Sequence, residues 1–457
     1  MQISFDSSIK VAGIGLVPWT RLGPEQWLPS YKIASLYGWD TTAQAGVPEV
    51  FCVADGGNVP DLARLNTAEL LKSYDFQRLL DDKLPGYAIF PYKAVTIPAV
   101  LEHRRFLMAD REIAKKFENK VEFRCIFAPI IPIPAYDIYD RAALRPDTAT
   151  YSSILNGRKA IVIQDEQLSG GKGTFIIDSY DAYTYAIDSL ARTSQHDRVV
   201  VSSLVEQARE RSIQSCVTKY GVLAGPLQRQ IVRHPLLTSA VAADGNKYCG
   251  VQICADDQNS AIHLDAQRIA QEIGGVLRGE GYKGIFGIDF LLDQDDKLYA
   301  IEINPRVTGV TPLLSALYRA EEGIPFYLLH LLELGNYDYS IENFAADFSK
   351  QGASIILHSL ETHAGVIEAL PKSGTYRLKN GELEEVSDSI LLEDTKPGEW
   401  IVQAYVPKAS VVKPGGRLLT VQTKGLIIDK ITDKLYDDTV EFITVLREHI
   451  KISRTET

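Results

Sequence analysis

Two carboxylates and an amide stand at unusual places in GIDFLLDQDDKLYAIEINPRVTG, residues 287–309. The segment reads as two short buried strands joined by a charged turn. Asp289 lies inside GIDFLL, and Glu302 and Asn304 lie inside YAIEINP. Among apolar neighbours an unpaired charge is costly or is neutralised. Acids kept there need a partner, and two carboxylates with one amide oxygen are a hard-cation ligand set. Mg²⁺ fits, because it binds through one or two carboxylates while sharing the oxygens of a substrate phosphate. Taken singly, Asp289 or Glu302 reads better as a strand acid facing water. With Asn304, and with Pro305 and Arg306 following, they read as metal ligands.

Two further stretches agree with a phosphate beside that metal. Ser169-Gly170-Gly171-Lys172-Gly173-Thr174 follows the buried strand in RKAIVIQDE. Glycines let a loop turn successive backbone N–H groups onto an anion, and Lys172 or Thr174 can add donors. The spacing is not that of a Walker A loop, and β-rich runs flank it on both sides. Alone it would be a hairpin turn. Lys120, behind Asn119 at the start of a helical run, would alone be a surface lysine. The Gly13-x-Gly15 pair near the N-terminus lacks the third small residue of a dinucleotide fingerprint, since position 18 is Pro18. It reads as a tight turn after a strand.

The elements that must position these residues alternate along the chain. YKIASLYG, TAELLKSYDFQRLLDD and YAIFPY continue a strand and helix alternation, giving an α/β N-terminal domain over 1–117. LEHRRFLMADREIAKKFEN reads as a helix leading into the next unit. ENKVEFRCIFAPIIPIPAYDIY reads as a turn, a short helix and a proline-marked extended segment. DAYTYAIDSLA is a helix capped by Ser179 or Asp181. RVVVSSLVEQ, RSIQSCVTKYG and LQRQIVRH read as strands of an antiparallel sheet. Ile262, Ala266, Ile269, Ile273 and Leu277 make one apolar face of a helix. PLLSALYRAEEG and PFYLLHLLELG are helical. From 338 to 457 short strands with glycine turns form a β-rich domain closed by the helix LYDDTVEFITVLREHI.

At 457 residues the chain is too long for one core, and its net charge is −11. That charge argues against a nucleic-acid groove or an anionic membrane surface, but not against a nucleotide site with a few local donors. The N-terminus lacks a basic region followed by an apolar run, and the apolar stretch IFAPIIPIPAY is short and broken by prolines. No signal peptide or membrane span is read. Five cysteines without a C-x-x-C pair read as reduced thiols of a cytoplasmic protein.

Over roughly residues 118–320 the sequence resembles the ATP-grasp superfamily, which includes biotin carboxylase, D-alanine–D-alanine ligase and free-standing peptide ligases. The metal motif is the specific part: Asp289 matches the family's strand-end acid, and Glu302, Asn304 and Arg306 match its E-x-N-x-R. Asn119-Lys120 is similar to the entry motif whose lysine reaches ATP phosphates, and 169–174 to the mobile glycine-rich loop. VVVSSLVEQ resembles the hinge, near 201–207, whose backbone pairs with adenine, which points to Ser202, Ser203, Leu204 and Val205. Glu210 resembles the acid after the hinge, and reads equally well as a solvated strand residue. The family's second ATP lysine is here Gln164, and the hinge acid is Ser202. A neutral amide still donates to phosphate or adenine but supplies less charge.

The resemblance implies an α/β (α+β) protein: an ATP-grasp core over 118–337 between the two flanking domains. It implies ATP with two Mg²⁺ ions, Mn²⁺ being compatible, and an ATP-dependent carboxylate–amine ligase forming an amide or peptide bond through an acyl phosphate. Arg306 is the candidate to orient the carboxylate and stabilise the oxyanion, its alternative being a salt bridge to Glu302. Arg229 and Arg233 are weaker substrate candidates. The expected partners are a small carboxylate and an amine, such as amino acids or short peptides; a homodimer is compatible. A small-molecule kinase and a non-catalytic nucleotide-binding protein are the alternatives.

Overall fold

The first apolar runs build a parallel sheet in the order Val50–Ala54, Lys32–Tyr37, Val11–Gly15, Ala88–Phe90. The computed structural model describes residues 2–40, 46–54, 66–168, 173–239, 248–318, 323–342 and 348–454. The turn after Val11–Gly15 leads into a 3₁₀ turn, Trp19–Arg21. Its glycines make room. A Cβ on Gly13 would strike the Tyr31 hydroxyl, and one on Gly15 would lie 2.9 Å from the Arg21 guanidinium.

The run expected to be helical from Leu101 is helical only over Arg111–Glu118. Upstream, Ile89 N–H donates to Arg105 O, and Leu107 N–H donates to Ile89 O, both at 2.8 Å. Those bonds hold the segment extended against the small sheet and bury Leu107. Asp110 then starts the helix by accepting from the Glu112 and Ile113 N–H groups.

A second, four-stranded antiparallel sheet follows, ordered Tyr136–Asp140, Arg198–Ser203, Ile161–Asp165, Thr174–Ile177. Ile161, Ile163, Ile177 and Val199 pack with Tyr183, Ala186 and Leu190 of the helix Tyr180–Thr193. Ser179 supplies that helix's cap, its Oγ accepting from Ala182 N–H at 3.2 Å.

The chain then crosses at 204–208 into a ten-stranded sheet. Its order is Leu298–Asn304, Gly284–Leu292, Arg209–Thr218, Gly221–Val232, Tyr248–Ile253, Gly352–His358, Arg417–Thr423, Trp400–Ala404, Gly374–Lys379, Glu382–Ser387. The helix Ala261–Gly279 buries Ala266, Ile269, Ile273 and Leu277 against one face, together with Ile213, Leu227, Ile288 and Phe290.

The segment after 338 is β-rich, yet its sheet is continuous with the core's. Gly250 to Ile253 pair with Ile355 to Gly352. The N-terminal strand Gln2–Phe5 also pairs with Tyr339–Glu342. After the last helix, Asp437–Glu448, the chain adds a strand, Lys451–Arg454, against Gly365–Ala369. Among the described residues no helix is long and apolar enough to cross a membrane.

Candidate active site

Asp289 and Glu302 are direct cross-strand partners, so the pleat sets their side chains on the same face. The register shifts just after Asp289, where Phe290 faces Ala300, leaving Ile301 as the extra residue. Gln230 Nε2 donates to Asp289 Oδ1 at 2.6 Å. Asn304 Nδ2 donates to Asp289 Oδ2 at 3.0 Å and to Glu302 Oε1 at 3.4 Å. Burial, then the neighbouring Glu302 charge, push the Asp289 carboxyl up to about 7. Two close, partly desolvated carboxylates are an unfavourable arrangement that a divalent cation relieves.

The donor set fits Mg²⁺. It offers two carboxylates and an amide oxygen, leaving further positions for phosphate and water. Among the described residues no group of three or more His, Cys, Asp and Glu gathers into an all-protein cage. Asn304 Oδ1 is engaged by Arg306 Nη2 at 2.6 Å. For Asn304 to serve as a ligand, that oxygen must turn from Arg306 to the cation.

Lys120 sits beside this pair. Asn119 ends the helix Arg111–Glu118 and caps the helix Lys120–Phe127, accepting from Val121 and Glu122 N–H. Asn119 Nδ2 donates to Glu166 Oε2 at 3.0 Å, and Lys120 N–H donates to Glu166 O at 2.8 Å. Arg198 holds Glu166 and Glu122 at 2.9 and 3.1 Å. The cap thus fixes Lys120, whose buried Nζ lies 2.7 Å from Leu168 O and 3.9 Å from Glu302 Oε2. A buried ammonium bridging a loop and one of the paired carboxylates is no surface lysine.

Leu168 begins the glycine-rich loop. Ser169, Gly170, Gly171 and Lys172 lie outside the described residues, while Gly173 and Thr174 lie within them. Gln164 pairs with Thr174, so the strands on either side of the loop run antiparallel. Gly173 has φ +69°, and a Cβ there would strike Leu168 and Asp165. Asp165 shapes the base by accepting from Gln167 and Leu168 N–H at 2.8 Å and from the Ser194 hydroxyl. Burial alone would raise its carboxyl, but those hydrogen bonds and His196 hold it below the usual carboxylate range.

Ser202 and Ser203 end the last strand of the small sheet. Ser203 N–H donates to Ala135 O at 2.8 Å, and Ser202 is buried with its Oγ making no hydrogen bond among the described residues. Leu204 and Val205 carry the chain across to the large sheet. Glu210 lies two residues before Ser212, the partner of Asp289, and so shares the carboxylate face. Burial raises the Glu210 carboxyl.

Arg306 pairs with Glu118, Nε to Oε1 at 3.3 Å, rather than with Glu302. Arg229 is not brought to the carboxylates. It is in register with Arg211, which pairs with Phe290 on the helix-covered face. There it binds both oxygens of Asp257 at 2.6 and 2.7 Å and Asp433 at 2.9 Å. The alternation of the pleat, invisible without the register, sends Gln230 to the site instead. Arg233 is exposed with φ +55°.

Arg124 is a site residue that sequence reading passed over. It lies one helical turn after Lys120, on the same helix face. It is 1% exposed, donates to Lys120 O at 3.0 Å and to Gln164 Oε1 at 2.6 Å. Burial pushes its guanidinium down to about 10, with Glu302 countering. The four-residue spacing from Lys120 was the available signal.

The domain and the fold have counterparts in known proteins. Residues 131–310 match the model of the ATP-grasp domain. Those residues form an ATP-grasp domain, with mixed helix and sheet around it. It is 23% identical over 266 residues to human mitochondrial pyruvate carboxylase, covering 55% of this chain and 20% of that one. The chain thus spans about a fifth of that relative's length. It is 21% identical over 313 residues to the [Butirosin acyl-carrier protein]--L-glutamate ligase of Niallia circulans, covering 66% of each. Its fold is similar to the biotin carboxylase domain dimer of Hydrogenobacter thermophilus 2-oxoglutarate carboxylase, a structure with MgADP and bicarbonate. The TM-score is 0.58 at 11% identity, over 97% of this chain and 91% of that one.

Proposed function

We propose that the protein is an ATP-dependent carboxylate–amine ligase, forming an amide bond and releasing ADP and phosphate. The observation that carries this reading is the Asp289–Glu302 pair with Lys120 between it and the base of the glycine-rich loop. The ATP-grasp domain and the glutamate ligase relative support it.

Asp289, Glu302 and Asn304 would hold Mg²⁺, which when bound neutralises charge on the β- and γ-phosphate oxygens of ATP. Lys120 would add positive charge there, and Arg124 with Gln164 would stand where a second phosphate donor is needed. Adenine would lie against the backbone at 202–205. The substrate carboxylate oxygen attacks the γ-phosphorus, the bond to the bridging oxygen breaks, and ADP leaves. The amine then attacks the acyl carbon, phosphate departs with the electron pair, and the amine loses a proton. Positioning and charge neutralisation supply most of this catalysis. Arg306, held by Glu118, would turn from Asn304 to the carboxylate as Asn304 turns to the cation. The loop from 169 to 174 would cover the acyl phosphate, which water would otherwise hydrolyse.

The test is ADP release with paired panels of amino acids or short peptides as acid and amine, with product masses read in parallel. ADP release requiring both acid and amine, with an amide product, supports the reading. A phosphorylated hydroxyl product supports a kinase instead, and nucleotide binding without turnover across the panel supports a binding protein.

A further inference from the structure

Beyond the metal carboxylates lies a cluster of cations that the ligase mechanism leaves unused. Arg21 is 4% exposed and occupies the space left by the absent Cβ of Gly15. Its Nε donates to Ile14 O at 2.6 Å, its Nη1 bonds Thr20, and its guanidinium lies 5.1 Å from the Tyr92 ring centroid. Arg417 enters from the strand Arg417–Thr423 and lies 5.0 Å from the Trp19 ring centroid and 4.7 Å from that of Tyr405. Trp19 is fixed by its Nε1–H to Ala404 O at 2.8 Å. Arg417 Nη2 donates to Thr420 Oγ1 at 2.6 Å, and its buried Nε makes no hydrogen bond among the described residues. Among the described residues no carboxylate lies within ion-pair distance of Arg21 or Arg417.

The charges of these groups reach residues beside the candidate active site. Tyr92 is half-buried; burial raises its phenol, and Arg306, Arg21 and Arg417 all act against that rise. The charges of three guanidiniums from distant parts of the chain thus act on one hydroxyl, that of Arg21 lying 5.1 Å from the ring centroid. Tyr248 lies against Gly309, just past Arg306, and its hydroxyl feels both the Arg417 and the Asp289 charges. Among the described residues, of the three arginines only Arg306 forms an ion pair, with Glu118.

A desolvated cation without a counterion is costly, and ring faces recover only part of that cost. In a chain of net charge −11 such a pair calls for an anionic ligand. We propose that Arg417 and Arg21, with Tyr92 and inside the walls Trp19, Tyr405 and Tyr248, form a pocket for a second carboxylate of the substrate, so that the acid substrate is a small dicarboxylate. One carboxylate reacts beside Arg306 and the metal ligands, and the other is held by Arg417. Planar, forked guanidinium geometry suits a carboxylate. The proposal rests on the ligase reading for the reacting end only.

The test is equilibrium binding, with Mg²⁺ and a non-hydrolysable ATP analogue, of succinate, glutarate, L-aspartate and L-glutamate, each against its monoamide. At least one diacid should bind about tenfold or more tightly than its own monoamide. Arg417→Met should abolish that preference and Arg417→Lys should keep part of it, with the nucleotide-dependent rise in Tm unchanged in both. That unchanged rise shows both variants folded. No diacid preferred over its amide, a preference retained in Arg417→Met, or a preference for phosphorylated acids over diacids would overturn the proposal. If the wild type fails to bind nucleotide, the ligase reading has failed; the same acid and amide pairs measured without nucleotide then decide the pocket separately.

Discussion

Arg124 Nη2 donates to Gln164 Oε1 across 2.6 Å, so a helix cation and a strand amide act as one unit at the edge of the candidate nucleotide site. The bond orients the Gln164 amide so that its Nε2 lies 3.4 Å from Thr174 Oγ1, at the end of the loop. Arg124→Met removes the cation and leaves Gln164 Oε1 buried without its donor. We expect a loss of about 1–3 kcal/mol of stability and a higher KM for ATP. Adding Gln164→Lys to that variant puts a cation back on the strand and should recover most of the ATP KM. ATP titrations of the wild type, the single variant and the double variant check this. No recovery in the double variant would show that Arg124 acts only in packing.

Asp289→Asn and Glu302→Gln are each expected to abolish ATP turnover while the fold persists by circular dichroism. The raised Asp289 carboxyl gives a second readout in metal-free protein. Its folded-state value, about 7, exceeds that of an unfolded aspartate, so the folded state binds the extra proton between the two values. Wild-type stability in EDTA should therefore fall as pH rises from about 4 towards 7. Asp289→Asn should lack that part of the decline. Thermal melts across this pH range test it, and superimposable wild-type and variant profiles would contradict the assignment.

Asp165 carries the opposite sign. Its carboxyl is held below the usual range, so its contribution is present above the unfolded value and is lost as pH falls through the folded one. Asp165→Asn should cost about 1–3 kcal/mol at pH 7, because it weakens several bonds to one buried oxygen pair. The penalty should shrink in strong acid. Urea unfolding at neutral and acid pH measures both.

Arg229→Ala should destabilise without changing substrate choice. Removing one member of a largely buried ion-pair group leaves Asp257 uncompensated and Asp433 with Arg211 alone, at a cost of about 3–5 kcal/mol. KM values for acid and amine, measured below the variant's Tm, should stay within about twofold of wild type, as for a change remote from the site. A selective rise in one KM would return Arg229 to the substrate side.

Much of the site was legible because its signals are local. Acids among apolar strand residues at 289 and 302, the Asn119 cap before Lys120, and glycines between strands are all short-range patterns. What escaped depends on pairing between distant segments. The continuity of the ten-stranded sheet rests on Tyr248–Ile253 meeting Gly352–His358, a partnership that no local pattern in either strand specifies. Register, too, decided that Gln230 and not Arg229 reaches Asp289. The Arg417 pocket draws its walls from residues 19, 92, 248 and 405, which only the folded chain brings together. The helix expected from Leu101 was shortened by the same kind of contact, when Ile89 drew 105–107 into an extended course.

The central claim is an acyl phosphate made at the Asp289–Glu302 site, and hydroxylamine trapping tests it most directly. Wild-type protein with Mg²⁺, ATP, the acid substrate and hydroxylamine, without the natural amine, should form one hydroxamate per ADP, and Asp289→Asn should form none. ADP release that is dependent on the acid but yields no hydroxamate would contradict the account.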